Sequence, residues 1–315
     1  MYNIIIMAAI HQVNHPGKEL NISFRNRKKH KLDYYFCQGN ITHGVRFWNR
    51  CFINGKPNSH KRKFIEINGK YVDSLQNSTE KVSLLRFWGE YEGHSEFELL
   101  SRLKNVPYWN NPIAVHRPFF FNQNINDQNT DPYIFGNNFY FAICKKASLD
   151  NLGNGDIILF GSEFGSKPNV KFYLDTLFVV NDEQESILDN TLYDIIYQES
   201  TLKRIGISDC TKGTLPVHTG IKFPDNSEYF SFFPCKQLTD ENRSFGRPVI
   251  DTVSLGLKRP GARTGSKSRE LLPSENIADI WKKIAKEVIK HGFVLGTHAD
   301  QLKVLNQLPC LPIIF

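Results

Sequence analysis

The chain has 315 residues, with 39 basic and 32 acidic side chains, a net charge of +7 and a pI near 9.0. Hydrophobic residues at 40% and aromatics at 13%, led by 24 Phe and 12 Tyr, exclude a disordered or fibrous chain and describe a folded, strand-rich protein. The positive surplus favours a polyanionic partner only mildly, and no apolar run approaches the roughly twenty residues that a membrane-crossing helix requires.

In chain order, residues 2–10 read as a first β-strand, too short to span a bilayer and followed by His11 instead of a cleavage site. Residues 11–32 read as a polar loop with a basic cluster at Arg25, Arg27, Lys28, Lys29 and Lys31. Asn54-Gly55 and Asn68-Gly69 each favour a tight hairpin turn, the second flanked by Phe64–Asn68 and Lys70–Asp73. The loop 56–63 collects Lys56, His60, Lys61, Arg62 and Lys63. Val82–Tyr91 reads as a strand and Glu92–Lys104 as a short helix, followed by a long ordered loop over 105–132 that carries His116-Arg117-Pro118-Phe119. Ile157–Phe160 and Lys171–Val180 are two strands joined by a short loop with Gly161, Gly165 and Pro168, a hairpin or two neighbouring barrel strands. Residues 186–204 read as helical and 205–255 as irregular with short strands. The clearest helix is 275–291, with Ser274 as N-cap, Gly292 as stop, and Ile277, Ile280, Trp281, Ile284, Val288 and Ile289 on one face.

No internal repeat or interdomain linker appears, so the expectation is a single α+β domain over 1–315. Six scattered cysteines without a CxxC pair fit reduced thiols and a cytoplasmic location better than a disulfide framework or a structural zinc site. No complete catalytic motif is present. Gly261-Ala-Arg-Thr-Gly265-Ser-Lys267-Ser268 lacks the Gly-Lys-Ser/Thr triplet of a phosphate-binding loop. Glu163 and Lys167 are spaced too widely for the Glu-x-Lys of metal-dependent nucleases. The acidic segment from Glu90 to Glu98 is better read as a solvated edge than as a metal site.

Asp131-Pro132, Phe135-Gly136, Ala142, Cys144-Lys145, Gly155-Asp156-Ile157-Ile158 and Gly161 form a pattern that resembles the nucleotide-modification-associated domains of phage and bacterial gene neighbourhoods. These are similar to the wider PUA-like group, which includes the ASCH, EVE and YTH modules. The resemblance implies a PUA-like small β-barrel core over about 80–235. Around it lie a strand-rich N-terminal extension (1–79) and a helical C-terminal extension (236–315). It also implies a pocket for a nucleotide or a flipped base, held between aromatic faces and read at its edge.

Trp88, Trp109, Phe135 and Tyr140 would supply faces. The binding candidates are Arg86, Trp88, Glu90, Arg117, Asn129, Asp131, Lys145, Ser162 and Asp175. Arg25, Lys28, Lys61, Arg62, Lys258, Arg259, Arg263 and Lys267 would track a nucleic-acid backbone, if their loops share a face. Each residue has a plainer role beside the functional one. Trp88 is either core or ligand wall, Asp131 either turn or ligand contact, and Asp156 fixes the turn with Gly155. Asp175, inside an apolar strand, is the most anomalous acid: a buried carboxylate there needs a partner, unless alternation turns it outward. His43 and His116 are further ligand candidates, and Cys144 is a buried thiol.

The expected partner is DNA or RNA, with or without modified bases, in phage defence or nucleotide modification, with no membrane, no cofactor and no metal-ligating residues assigned. An enzyme acting on nucleic acid or a nucleotide (glycosylase, nuclease or transferase) is the alternative, its acid drawn from Glu90, Asp131, Glu163 or Asp175. A scaffold protein is the third reading.

Overall fold

The computed structural model describes residues 2–8, 41–42, 45–48, 52–53, 56–57, 62–76, 79–91, 93, 95–99, 114–121, 130, 132–142, 152–164, 171–187, 194–202, 214–224, 228–238, 246–257 and 267–306. Strands dominate the described residues, so the fold is mostly β. In chain order they are β1 (Tyr2–Ala8), β2 (Ile41–Thr42), β3 (Val45–Trp48), β4 (Phe52–Ile53), β5 (Lys56–Pro57) and β6 (Arg62–Val72). Next come β7 (Lys81–Glu90), β8 (Ser95–Leu99), β9 (Ala114–Phe121), β10 (Tyr140–Ala142), β11 (Ile157–Phe164) and β12 (Lys171–Ile187). The last are β13 (Thr214–Gly220), β14 (Phe233–Gln237), β15 (Val249–Ile250), β16 (Lys267–Pro273), β17 (Val294–Ala299) and β18 (Lys303–Leu305). One three-residue turn of helix, α1 (Ile195–Tyr197), continues into a π turn at Gln198–Leu202, and a long helix, α2, spans Ser274–Lys290.

Two large sheets organise these strands, apart from β4 and β5, which pair with each other. The first runs β10-β13-β12-β11-β1-β16, with β15 added beside β12. In the second, β17, β14, β7 and β6 are neighbours in that order, and β6 pairs back onto β17, closing a four-stranded barrel. The ring therefore draws β6 from the first eighty residues and β17 from the last thirty. Strands β9, β8, β3 and β2 continue outward from β6.

The α2 face formed by Ile277, Ile280, Trp281, Ile284 and Val288 packs on Leu159, Leu177, Val179 and Phe232. Trp281 completes the docking by donating its indole N–H to the Phe230 carbonyl at 2.8 Å. The helix begins one residue earlier than its spacing suggests, with Ser274 as its first residue and Pro273 as N-cap. Gly292, with φ of +76°, follows its end in the left-handed conformation that suits glycine.

Four expected elements differ. The Asn68-Gly69 hairpin is absent, because β6 runs straight through it and pairs with β7 from Arg62 to Tyr71. Gly69 is there for another reason: a Cβ would collide with the His298 carbonyl of β17, so glycine permits the close approach that seals the ring. Within 92–104, where a helix was expected, Ser95–Leu99 is a strand paired with β3 and β9. Its polar–apolar alternation has a period of two, which the local run of charges obscures. The 105–132 loop likewise contains a strand, β9. Of residues 186–204, 186–187 belong to β12 and 195–202 to the short helical turns. The described residues contain no helix long and apolar enough to cross a membrane.

Candidate functional site

The register of β6 on β7 sets Phe64 opposite Trp88 and Glu66 opposite Arg86. With alternation this places Phe64, Glu66, Arg86, Trp88 and Glu90 on one face. Trp88 packs obliquely on Phe64 at 5.6 Å between ring centroids, and Val115 joins them. Glu66 is buried and receives Arg86 Nε at 2.6 Å and Arg117 Nε at 2.7 Å. One carboxylate thus fixes two candidate arginines at the margin of the Trp88 face, where both guanidinium groups remain partly exposed.

Strand β12 approaches the same place from the other sheet. In its pairing with β11, Phe160 faces Thr176 while Gly161 faces Leu174, so Asp175 is the extra residue of a β-bulge. The bulge shifts the alternation: Phe172 and Leu174 before it and Leu177 and Val179 after it all reach the same core cluster. Gly161 is required, because a Cβ there would run into the Tyr173 carbonyl and the Phe172 ring. Ser162, the next residue, stands opposite Tyr173.

Between the sheets lies Arg247, which the sequence reading did not single out. Strand β15 pairs Val249 with Tyr173, and Leu174 N–H donates to the Pro248 carbonyl at 3.0 Å, which fixes residue 247 beside the bulge. Arg247 Nη1 donates to Ser162 Oγ at 2.8 Å and lies 3.2 Å from each Asp175 carboxylate oxygen. Its guanidinium carbon is 5.4 Å from the Trp88 ring centroid and 5.5 Å from that of Tyr173, within cation–π range of both. The Asp175 side chain is 0% exposed and that of Arg247 only 2%. The structure therefore brings Trp88, Ser162 and Asp175 together around one buried cation. The sequence signal was the buried carboxylate at 175, whose partner could not be chosen among 39 basic residues. Burial of such a carboxylate is tolerable only with a close, hydrogen-bonded cation.

The opposite face of β6 and β9 looks inward. His116 is buried, with Nδ1 at 2.8 Å from Ser95 Oγ. Burial first, and the neighbouring Lys63 second, hold its pKa well below the ordinary 6.5, so it is a neutral internal hydrogen-bonding group. Lys63 Nζ donates to the Gly93 carbonyl at 3.0 Å and lies over the Tyr91 ring. Burial raises the pKa of the Cys235 thiol.

Phe135 and Tyr140 belong to the large core cluster and not to the Trp88 group. Tyr140 stacks on Tyr197 at 4.6 Å, and Phe135 meets Tyr91 and Tyr133 edge-on. Asp156 fixes its turn as expected, accepting from Ile4 N–H at 2.7 Å and Gly153 N–H at 2.8 Å, next to Gly155 at φ of +84°. Glu90 is buried at the end of β7, and its backbone carbonyl accepts from Thr130 Oγ1. Arg62 and Lys267 open β6 and β16. Asn129, Asp131, Lys145, Arg25, Lys28, Lys61, Lys258, Arg259, Arg263, Trp109, His43 and Cys144 lie outside the described residues. Among the described residues no three His, Cys, Asp or Glu side chains stand close enough to hold a metal ion.

No protein-family model, no curated protein and no solved structure matches this chain.

Proposed function

We propose that this protein is a PUA-like nucleic-acid-binding protein that receives a base, unmodified or modified, at the Trp88 face, in the setting of phage defence or nucleotide modification. The observation that carries this reading is the meeting of two aromatic rings, Trp88 and Tyr173, at one guanidinium that is itself tied to Ser162 and Asp175. An aromatic face next to fixed polar groups is the chemistry that holds a base taken out of its stack. Stacking of this kind contributes about 1–3 kcal/mol per base. Arg86 and Arg117, partly exposed and anchored on Glu66, supply positive charge at the rim, where phosphate contacts position a strand without reading its sequence.

Fluorescence anisotropy of labelled oligonucleotides tests this reading. Cytosine, hydroxymethylcytosine and glucosylated hydroxymethylcytosine are compared at low and near-physiological salt, with and without Mg²⁺. Binding that survives salt, discriminates among the bases and falls about 5- to 150-fold in Trp88→Ala, the loss of one stacked base, is the expected result. Affinity that vanishes with salt and ignores modification refutes it. Product formed in the same mixtures would instead assign a glycosylase, nuclease or transferase activity.

A further inference from the structure

The outer arc of α2 carries charge that the fold does not use. Lys283, Lys286 and Lys290 fall within about 60° of one another around the helix axis, and all three are exposed. Lys290 pairs with Glu287 and stands in the last turn, where the helix dipole favours a cation. Lys283 and Lys286 lie before that turn, and neither makes an ion pair among the described residues. By contrast Lys70, Lys81 and Lys282 hold the carboxylates of Glu80, Asp73 and Glu228. The opposite side of α2 is locked to the first sheet by its isoleucines and Trp281, so the lysines stand on a fixed platform. Asp279, a turn before Lys283, ends the strip on one side. On the other side the strip continues past the helix. A Cβ at Gly292 would lie 3.6 Å from Lys236 Nζ, and that ammonium sits 4.9 Å from the Phe293 ring centroid. Lys236 in turn stands opposite Arg86 of β7, and so shares the sheet face on which Arg86 and Arg117 meet at Glu66.

We propose that the outer arc of α2 is a docking surface for the phosphate backbone of a nucleic-acid strand, which runs along Lys283, Lys286 and Lys290 and crosses by Lys236 to Arg86 and Arg117. This rests on the nucleic-acid-binding reading above and names the surface that leads a strand to that face. The dimensions suit a polyanion. Lys283 to Lys290 spans about 10 Å at 1.5 Å per residue, and Lys236 to Arg117 crosses three strand spacings, about 14 Å. About seven phosphates at 3.4 Å each would therefore run past six cations. A bilayer surface fits less well. An interfacial helix buries an apolar face in the lipid, whereas the apolar face of α2 is spent on the core and the arc that looks outward is polar. The contacts are to the backbone alone, so they add affinity without choosing among bases.

The salt dependence of binding by the full chain tests it, with labelled single-stranded oligonucleotides followed by fluorescence anisotropy across a salt series. Each phosphate contact contributes about 0.7 to the slope of log affinity against log salt for a single strand. The double variant Lys283→Gln with Lys286→Gln should therefore flatten that slope by about 1.4. Its affinity should fall about 10- to 15-fold at 0.15 M salt, taking equal affinities at 1 M. The ratio of affinities among cytosine, hydroxymethylcytosine and glucosylated hydroxymethylcytosine should stay at its wild-type value, which also reports that the Trp88 face is intact. Lys70→Gln with Lys81→Gln removes the same charge from two lysines that already hold carboxylates and should leave the slope within about 0.3 of wild type. The inference is overturned if the α2 variant keeps the wild-type slope, or if the control variant flattens it equally, since the effect would then be one of total charge. It is also overturned if vesicles containing phosphatidylserine bind the wild-type chain and displace the oligonucleotide from it. Base discrimination that survives salt alongside either of the first two results would leave the base-binding reading standing and remove only the α2 surface. Absence of any oligonucleotide binding by the wild-type chain would remove both.

Discussion

Replacing Arg247 with Met tests how far the bulged carboxylate depends on this cation. The substitution keeps an unbranched, polarisable chain between Trp88 and Tyr173 and deletes the charge. Nη1 stands 3.2 Å from both Asp175 oxygens, and at an effective dielectric of about 20 the attraction amounts to about 4–5 kcal/mol. Breaking a buried pair by removing one partner typically costs about 3–5 kcal/mol, because the remaining charge is stranded. Both side chains are almost fully enclosed, so solvent screening does not reduce this much. Urea denaturation followed by tryptophan fluorescence should therefore show Arg247→Met destabilised by about 3–5 kcal/mol. The double variant Arg247→Met with Asp175→Leu should recover most of that loss, since an apolar pair of similar volume leaves no stranded charge. A cost below about 1 kcal/mol for the single variant, or no recovery in the double, would refute the assignment of Arg247 as the partner that makes Asp175 tolerable.

Three further outcomes are expected. His116 stays neutral in the fold while its unfolded form titrates near 6.5; below that pH the unfolded chain binds a proton that the folded one refuses. Stability from this group is intact above pH 6.5 and falls by up to about 1.4 kcal/mol per unit on acidification, so Asn at 116 should flatten the pH dependence of Tm between pH 6.5 and 5. Ile284→Ala, which empties the α2 face against the first sheet, should cost about 2–5 kcal/mol in chemical denaturation, whereas Lys283→Ala on the exposed side should shift it by less than about 0.5. Cys235 is enclosed and its thiol is held protonated by burial; mass spectrometry after iodoacetamide should find it unmodified in the native protein and alkylated only after unfolding.

The parts of this architecture legible in the sequence are those governed by short-range pattern. The β11 and β12 strands, the turn with Gly155 at its apex and Asp156 as its brace, and the α2 face all follow from apolar periodicity and the special conformations of glycine. What escaped was governed by distant partners. Gly69 looked like a turn residue because Asn-Gly usually is one, but its reason lies in β17, more than two hundred residues away. Asp175 was recognisable as an anomaly, yet strict alternation could not foresee the bulge that turns it toward Arg247. Nor could any local pattern select Arg247, since a cation reveals its role only when the carboxylate it neutralises is known. Of the candidate site, Trp88, Ser162 and Asp175 converge, while Arg86 and Arg117 gather on Glu66, a residue whose importance comes from its burial and not from its neighbours in sequence.

The closure of the barrel by β6 and β17 also fixes an order of events during synthesis. At about 5–20 residues per second, β17 leaves the ribosome about 10–45 seconds after β6. Early in that interval β6 and β7 can pair, and β14 joins them only in about its last quarter, when the three-stranded ribbon still lacks the strand that closes it. A nascent chain in this condition exposes edge hydrogen-bonding groups to its neighbours. The late strand thus acts as a seal applied more than two hundred residues after β6 is made, and shortening the chain before Val294 would leave the ring open even with the Trp88 face intact.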